Sequence, residues 1–136
     1  MDKWFMVQAT MHRQLGYAPV IERVRRLLYH PAFSIRNPNK VRALICNFCN
    51  ANPAEFHDAG GDGYRFWETQ IARLDPLNPQ VAARVARALD RWRKYTPERQ
   101  TLMRASLRRV AALPDLSGDV REIVTKALDE HANTHA

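Results

Sequence analysis

The sequence predicts an all-α fold: a right-handed stack of antiparallel helix pairs of the HEAT or armadillo type, an α-solenoid of about six helices after an N-terminal helix remnant. Three observations predict it. First, a motif recurs: residues 37–49 (NPNKVRALICNFC) and 78–92 (NPQVAARVARALDRW) both open Asn-Pro, carry a valine soon after and then an arginine, Arg42 in one and Arg84 in the other. The asparagines lie 41 residues apart and the arginines 42, and a third helix start, Ser117, follows Asn78 by 39; a period of this size is the signature of stacked helix pairs. Second, apolar residues recur at helical spacing in almost every segment. Third, no run alternates as a strand would. A compact, non-repeating helical bundle is the rival architecture.

Residues 2–11 (DKWFMVQATM) are apolar, with Asp2 as the one cap signal, and Trp4, Phe5 and Val7 need a packing partner. The segment reads as the second half of a helix pair, so the chain is expected to start inside a longer array. Pro19 suits a first helical turn, and Val20, Ile21, Val24, Leu27 and Leu28 then share one face up to an end near His30-Pro31. Asn37-Pro38 is an N-cap followed by a proline at the first helical position; Val41, Leu44, Ile45 and Phe48 mark the buried side, and Arg42 lies off it.

Asn52-Pro53 opens a short helical turn, and residues 58–63 (DAGGDG) read as the loop between helix pairs. A phosphate-binding loop would end in Gly-Lys-Ser/Thr after a strand, and neither is present. Phe66, Trp67, Gln70, Ile71 and Leu74 give the next helix, closed by Pro76. Over 78–92, Val81, Val85, Ala88, Leu89 and Trp92 form the apolar stripe, while Arg84, Arg87 and Arg91 form a ridge on another face. Thr96-Pro97-Glu98 starts a helix that Leu102, Met103, Leu107, Val110 and Ala111 carry to Leu113. Ser117 caps the last helix, with Asp119 near its positive end and Val120, Ile123, Val124, Ala127 and Leu128 inside. The tail, residues 129–136, is expected to fray.

A chain of 136 residues suffices for a single domain with its own core, and is too short for a catalytic domain with accessories. The formal charge is +7 and 17 of the 21 basic residues are arginine, which points to an anionic partner or to arginines covering solvated helix faces. Neither a signal peptide nor a membrane-spanning run is evident, so the chain reads as cytoplasmic, with no membrane partner.

Few constellations could carry chemistry. Cys46-x-x-Cys49 lacks the second pair of a zinc site and the βαβ setting of a redox motif, and reads as buried core thiols. His131 and His135 lie four apart in the polar tail, without the glutamate of H-E-x-x-H. Ser34, Ser106 and Ser117 are not in a nucleophile setting. Glu55, Asp58, Asp62 and Glu68 could supply a carboxylate pair if geometry brought two together. The arginines remain: in a solenoid, equivalent faces of successive repeats line the concave side, so Arg42 and Arg84 would share one space. Guanidinium binds carboxylates bidentately, which makes a carboxylate the natural ligand.

Over residues 2–128 the stretches DKWFMVQAT, HPAFSIRNPNKVRALI, NPAEFHDAGGDGYRF, LNPQVAARVA, RWRKY and LSGDVREIVTKAL resemble, in order, the carboxy-terminal domain of bacterial aminopeptidase N, a zinc-dependent peptidase family of the gluzincin class. The resemblance implies a non-catalytic stack of helices, part of a larger peptidase, that caps a chamber around the active site and limits which peptides enter. Matching N-P-N-x-x-R and N-P-Q-V-A-x-R, it implies that Arg42 and Arg84 line the channel or hold a substrate carboxylate. The family's H-E-x-x-H helix and G-A-M-E-N motif are absent, so the chain alone is expected to have no catalytic residue, metal ligand or enzymatic activity. Zinc belongs to the missing catalytic domain of the same polypeptide, which is the expected partner together with peptide substrates. The alternative is a free-standing helical-repeat adaptor that binds an acidic protein or nucleic acid through Arg84, Arg87 and Arg91 and through Arg104 and Arg108. No recognition helix or stacking platform supports nucleic acid as a partner.

Overall fold

Helix ends expose backbone groups that something must satisfy, and in this protein residues about one repeat away in sequence satisfy several of them. The computed structural model describes residues 2–13, 18–58 and 60–129, and all the regular structure there is helical. The chain divides into two compact units, Met1–Gly63 and Tyr64–Ala136.

The first unit holds α1 (Asp2–Thr10), α2 (Val20–Leu27), α3 (Pro38–Val41), a π-helical segment (Arg42–Cys46), α4 (Asn47–Ala51) and α5 (Pro53–Phe56). As expected, the Asn37 side chain caps α3 by accepting from Asn39 N at 3.0 Å, with Pro38 first in the helix. The run then widens. Asn47 bonds back to the Arg42 carbonyl, five residues earlier, through its backbone N–H and through its side-chain amide at 3.1 Å. Ala43, Leu44, Ile45 and Cys46 are all buried, and α1 packs on this segment.

On α1, Phe5 and Ala9 stand four apart and take the buried face. Trp4 and Val7, expected to be packed, therefore remain 39% and 47% exposed, with the Trp4 ring 5.4 Å from that of His30. Pro19 sits one residue outside α2 as its N-cap and offers no side-chain acceptor. Glu55 supplies it instead: buried, it accepts from Val20 N at 3.0 Å and from Arg13 Nε and Nη2 at 3.1 and 2.9 Å. Helix α2 ends earlier than expected, at Leu27, because three-residue bonds from Tyr29 N to Arg26 O and from His30 N to Leu27 O tighten the chain ahead of Pro31. The buried Asn52 amide closes the other end of the unit, donating to the Ala9 and Met11 carbonyls at 2.9 Å each.

The loop after α5 is shorter than residues 58–63. Gly61 takes a left-handed φ of 75°, and α6 (Asp62–Leu74) already contains Asp62 and Gly63. Arg25 holds Asp62 through two bonds of 2.7 and 2.8 Å. A Cβ on Gly63 would lie 2.0 Å from the Phe56 carbonyl oxygen, so only glycine allows this approach.

The second unit contains the rest of α6, α7 (Pro79–Ala86), two 3-10 turns (Arg87–Leu89 and Trp92–Lys94), α8 (Pro97–Ala111) and α9 (Gly118–Leu128). Phe66, Trp67, Gln70, Ile71 and Leu74 are buried as their spacing required. The single helix expected over 78–92 is not formed. The Trp67 indole donates to the Val85 carbonyl at 2.9 Å, occupying an acceptor of the next helical turn, and the chain tightens to 3-10 at Arg87. Trp92 and Arg93 then turn away to cap α9: Trp92 Nε1 and Arg93 Nη1 donate to the Ala127 carbonyl at 2.9 and 2.8 Å, with the guanidinium 4.4 Å from the Trp92 ring centre. At the start of α9 the buried Asp75 accepts from Ser117 N at 2.8 Å and from its hydroxyl at 2.5 Å, while Ser117 Oγ accepts from Val120 N. Helix α8 stops at Ala111 rather than Leu113. Ile123 and Leu128, expected inside, are half-buried. No described helix is long and apolar enough to cross a membrane.

Candidate functional site

Two anchors fix the direction of α7 relative to α9. Asp75, just ahead of the α7 cap Asn78, holds the α9 cap Ser117, and Trp92 and Arg93, just past α7, hold the last carbonyls of α9. The helices therefore run parallel, starts together and ends together. Between them lies an open trough of about 880 Å³.

One wall is Gln80, Ala83 and Arg84 of α7 with Arg87 of the 3-10 turn that follows it; the other is Asp119, Glu122, Ile123 and Lys126 of α9, at i, i+3, i+4 and i+7. Ile123 faces this trough, which explains its incomplete burial. Arg84 and Lys126 lie in the last turns of their helices, while Asp119 lies in the first turn of α9, with Glu122 one turn on and nearly level with Arg84. Asp90, also in the wall, meets Arg87 at 3.7 Å. Burial raises its carboxyl above the usual range, against the pull of Arg87, Lys126 and Arg91. Arg84, Asp119 and Glu122 are exposed, and their side chains have no hydrogen-bond or ion-pair partner among the described residues.

Arg84 thus stands free in a concave surface. Arg42 belongs to the first unit, where it is half-buried, opens the π segment and donates to Asn39 Oδ1. The arginine ridge of 84, 87 and 91 is a correction. Arg87 sits in a 3-10 turn and Arg91 in the turn beyond, with φ −104° and ψ 30°, so the three do not share one helical face. Arg104 and Arg108 are exposed on α8.

The remaining candidates are accounted for by structure. Cys46 and Cys49 are buried free thiols, and burial, then the neighbouring Cys46, pushes the Cys49 thiol well up. Ser106 donates to Glu68 at 2.7 Å and Ser117 is a cap, while Ser34 lies in the turn before α3. The four carboxylates are held by arginines: Glu55 and Asp58 by Arg13, Asp62 by Arg25 and Glu68 by Arg109. No described cluster of three His, Cys, Asp or Glu residues could hold a metal. His131 and His135 lie outside the described residues. The sequence reading missed Asp119, Glu122 and Lys126 as a group; their spacing opposite Arg84 was the available signal.

Comparison with known proteins matches residues 1–129 to a family described as a domain of unknown function, DUF3458_C, with ARM repeats. Aminopeptidase N of Caulobacter vibrioides is 47% identical over 131 residues, and that of Escherichia coli 46% over 128, each match covering 94% of this chain. A solved structure, Legionella pneumophila aminopeptidase A in complex with aspartic acid, aligns over 95% of the chain with a TM-score of 0.84 and 38% identity. The chain spans 14% of the length of each of these proteins.

Proposed function

Because the chain belongs to the DUF3458_C family of ARM-repeat α-solenoid domains and corresponds to the carboxy-terminal region of aminopeptidase N, we propose that it serves as the non-catalytic carboxy-terminal domain of a zinc-dependent aminopeptidase N. In this reading it caps the active-site chamber and governs which peptides reach it, and Arg42 and Arg84 each line the channel or hold a substrate or product carboxylate. The observation that carries the reading is 47% identity across almost the whole chain against a small fraction of the relative.

The structure supports the role of Arg84 through its position. It is exposed in a concave wall, its charge is not neutralised by a described neighbour, and guanidinium keeps that charge at any working pH. In this reading zinc and the chemistry it supplies belong to the catalytic region of the larger polypeptide.

The test is steady-state kinetics on the polypeptide that carries this chain, with Arg84→Ala and Arg42→Ala compared on peptides of several lengths ending in a free acid or an amide. Loss of one charge-assisted contact at a partly solvated site should raise KM for free-acid peptides about threefold to tenfold, with zinc content unchanged. Identical constants for mutant and wild type across all peptides would overturn the reading.

A further inference from the structure

The two walls of the α7–α9 trough are in register. Asn78 caps α7 and Ser117 caps α9, and counted from these caps Gln80 stands opposite Asp119, Ala83 opposite Glu122, Arg84 opposite Ile123 and Arg87 opposite Lys126. Arg84 is six residues past its cap and Glu122 five past its own. At 1.5 Å per residue the two lie within about 2 Å of the same height. A guanidinium and a carboxylate therefore face one another at one level, and Ala83 and Ile123, which share that level, can neutralise neither.

The cations beyond this level already have a carboxylate. Arg87 meets Asp90 at 3.7 Å, and Lys126 also pulls on Asp90. Asp119 stands with Gln80, about 6 Å below Arg84. Arg84 and Glu122 are the opposite charges left over: both are exposed, and neither side chain has a hydrogen-bond or ion-pair partner among the described residues. Packed helices lie about 8–10 Å apart axis to axis. Two long, solvated side chains close such a gap by turning about their χ angles, and the guanidinium fork fits a carboxylate from Glu122 as well as one from a ligand.

We propose that Glu122 is a positioning residue that sets the carboxylate affinity of Arg84: it pairs with Arg84 across the trough when no anion is bound, and an incoming carboxylate displaces it. This rests on the carboxylate role proposed for Arg84 and names what opposes that role. The trough then discriminates by the end group of the peptide. A free acid gains Arg84 only in exchange for the Glu122 pair, so it is held weakly and released readily. A peptide amide leaves the pair in place and passes unheld.

The test extends the kinetics on the polypeptide that carries this chain to Glu122→Gln, alone and combined with Arg84→Ala, on matched peptides ending in a free acid or an amide. The Glu122 side chain makes no bond among the described residues, so glutamine leaves the bonds of the fold intact. Removing the competitor should lower KM for free-acid peptides about twofold to fivefold, the range of exposed ion pairs. The constants for amide peptides should not change, and kcat should stay the same, as for a change in uniform binding. In the Arg84→Ala background Glu122→Gln should have no effect.

A free-acid KM that Arg84→Ala raises but Glu122→Gln leaves unchanged would overturn this proposal while the role of Arg84 stands. A free-acid KM that Arg84→Ala leaves unchanged would overturn both. A gain from Glu122→Gln that persists in the Arg84→Ala background, or that is as large with amide peptides, would mean that Glu122 does not act through Arg84, and would also overturn the proposal.

Discussion

Asp75 carries a larger share of the second unit than its place in a turn suggests. It is 6% exposed and accepts two hydrogen bonds from Ser117, from the backbone N at 2.8 Å and the hydroxyl at 2.5 Å. Asp75→Ala removes both and leaves two donors at the start of α9 without their acceptor. Hydrogen bonds to charged groups contribute about 1.5–3 kcal/mol each; taking the lower end for each, since Ser117 is only partly buried, the loss is about 3 kcal/mol. Asp75→Asn keeps the shape but sets an amide N–H₂ against one of the two donors, and should lose about 2 kcal/mol. Ser117→Ala keeps its backbone bond to Asp75 but loses both the hydroxyl bond to Asp75 and the cap on Val120 N, about 2–3 kcal/mol together. Urea denaturation followed by far-ultraviolet circular dichroism measures these losses, and with a slope of about 1–3 kcal/mol per molar the Asp75→Ala midpoint should fall by more than about 1 M. Were Asp75→Asn as stable as wild type, the two bonds would not be what fixes α9, and the anchoring argument behind the parallel helices would fail.

Three further outcomes follow from particular contacts. Gly63→Ala should be among the most damaging small substitutions, because its Cβ would meet the Phe56 carbonyl at 2.0 Å; a loss of about 3 kcal/mol or more is expected in the same urea assay, whereas Gly60→Ala, with open space around it, should change stability by less than about 1 kcal/mol. Ultraviolet titration should show one of the four tyrosines ionising late: burial raises Tyr64 to about 12, reinforced by Tyr95 and opposed by Arg99. The folded form holds that proton more tightly, so its contribution to stability is complete below about pH 10 and declines as pH rises toward about 12. Cys46 and Cys49 should resist an aromatic disulfide reagent at neutral pH and react only as urea opens the core, since both are buried and the Cys49 thiol is held protonated.

What could be read from the sequence was what depends on neighbouring residues. Asn37, Asn78, Thr96 and Ser117 each accept a backbone N–H as an N-cap, and prolines follow the first three, because capping is settled within four residues. What could not be read depends on distant partners. Nothing local in 78–92 announces that Trp67 will take the Val85 carbonyl and divide the helix, or that Glu55 will cap α2 in place of Pro19. Leu44 and Ile45 gave a helix but not its π turn, which arises from the bonds of Asn47 to Arg42. Arg84 was singled out by its repeat position, whereas Asp119, Glu122 and Lys126 look like any solvated face until α9 is laid parallel to α7.

The helix-end anchors also set an order of assembly during synthesis. In the first unit the anchors come after what they hold: Asn52 bonds to the Ala9 carbonyl 43 residues earlier, and Glu55 to the Val20 amide 35 residues earlier. At about 5–20 residues per second on the ribosome, α1 and α2 wait seconds with open ends. In the second unit the order is reversed. Asp75, Trp92 and Arg93 are already made when their partners in α9 emerge 42, 35 and 34 residues later. The last helix therefore meets a prepared receptor at both ends, and its arrival completes the trough in a single step.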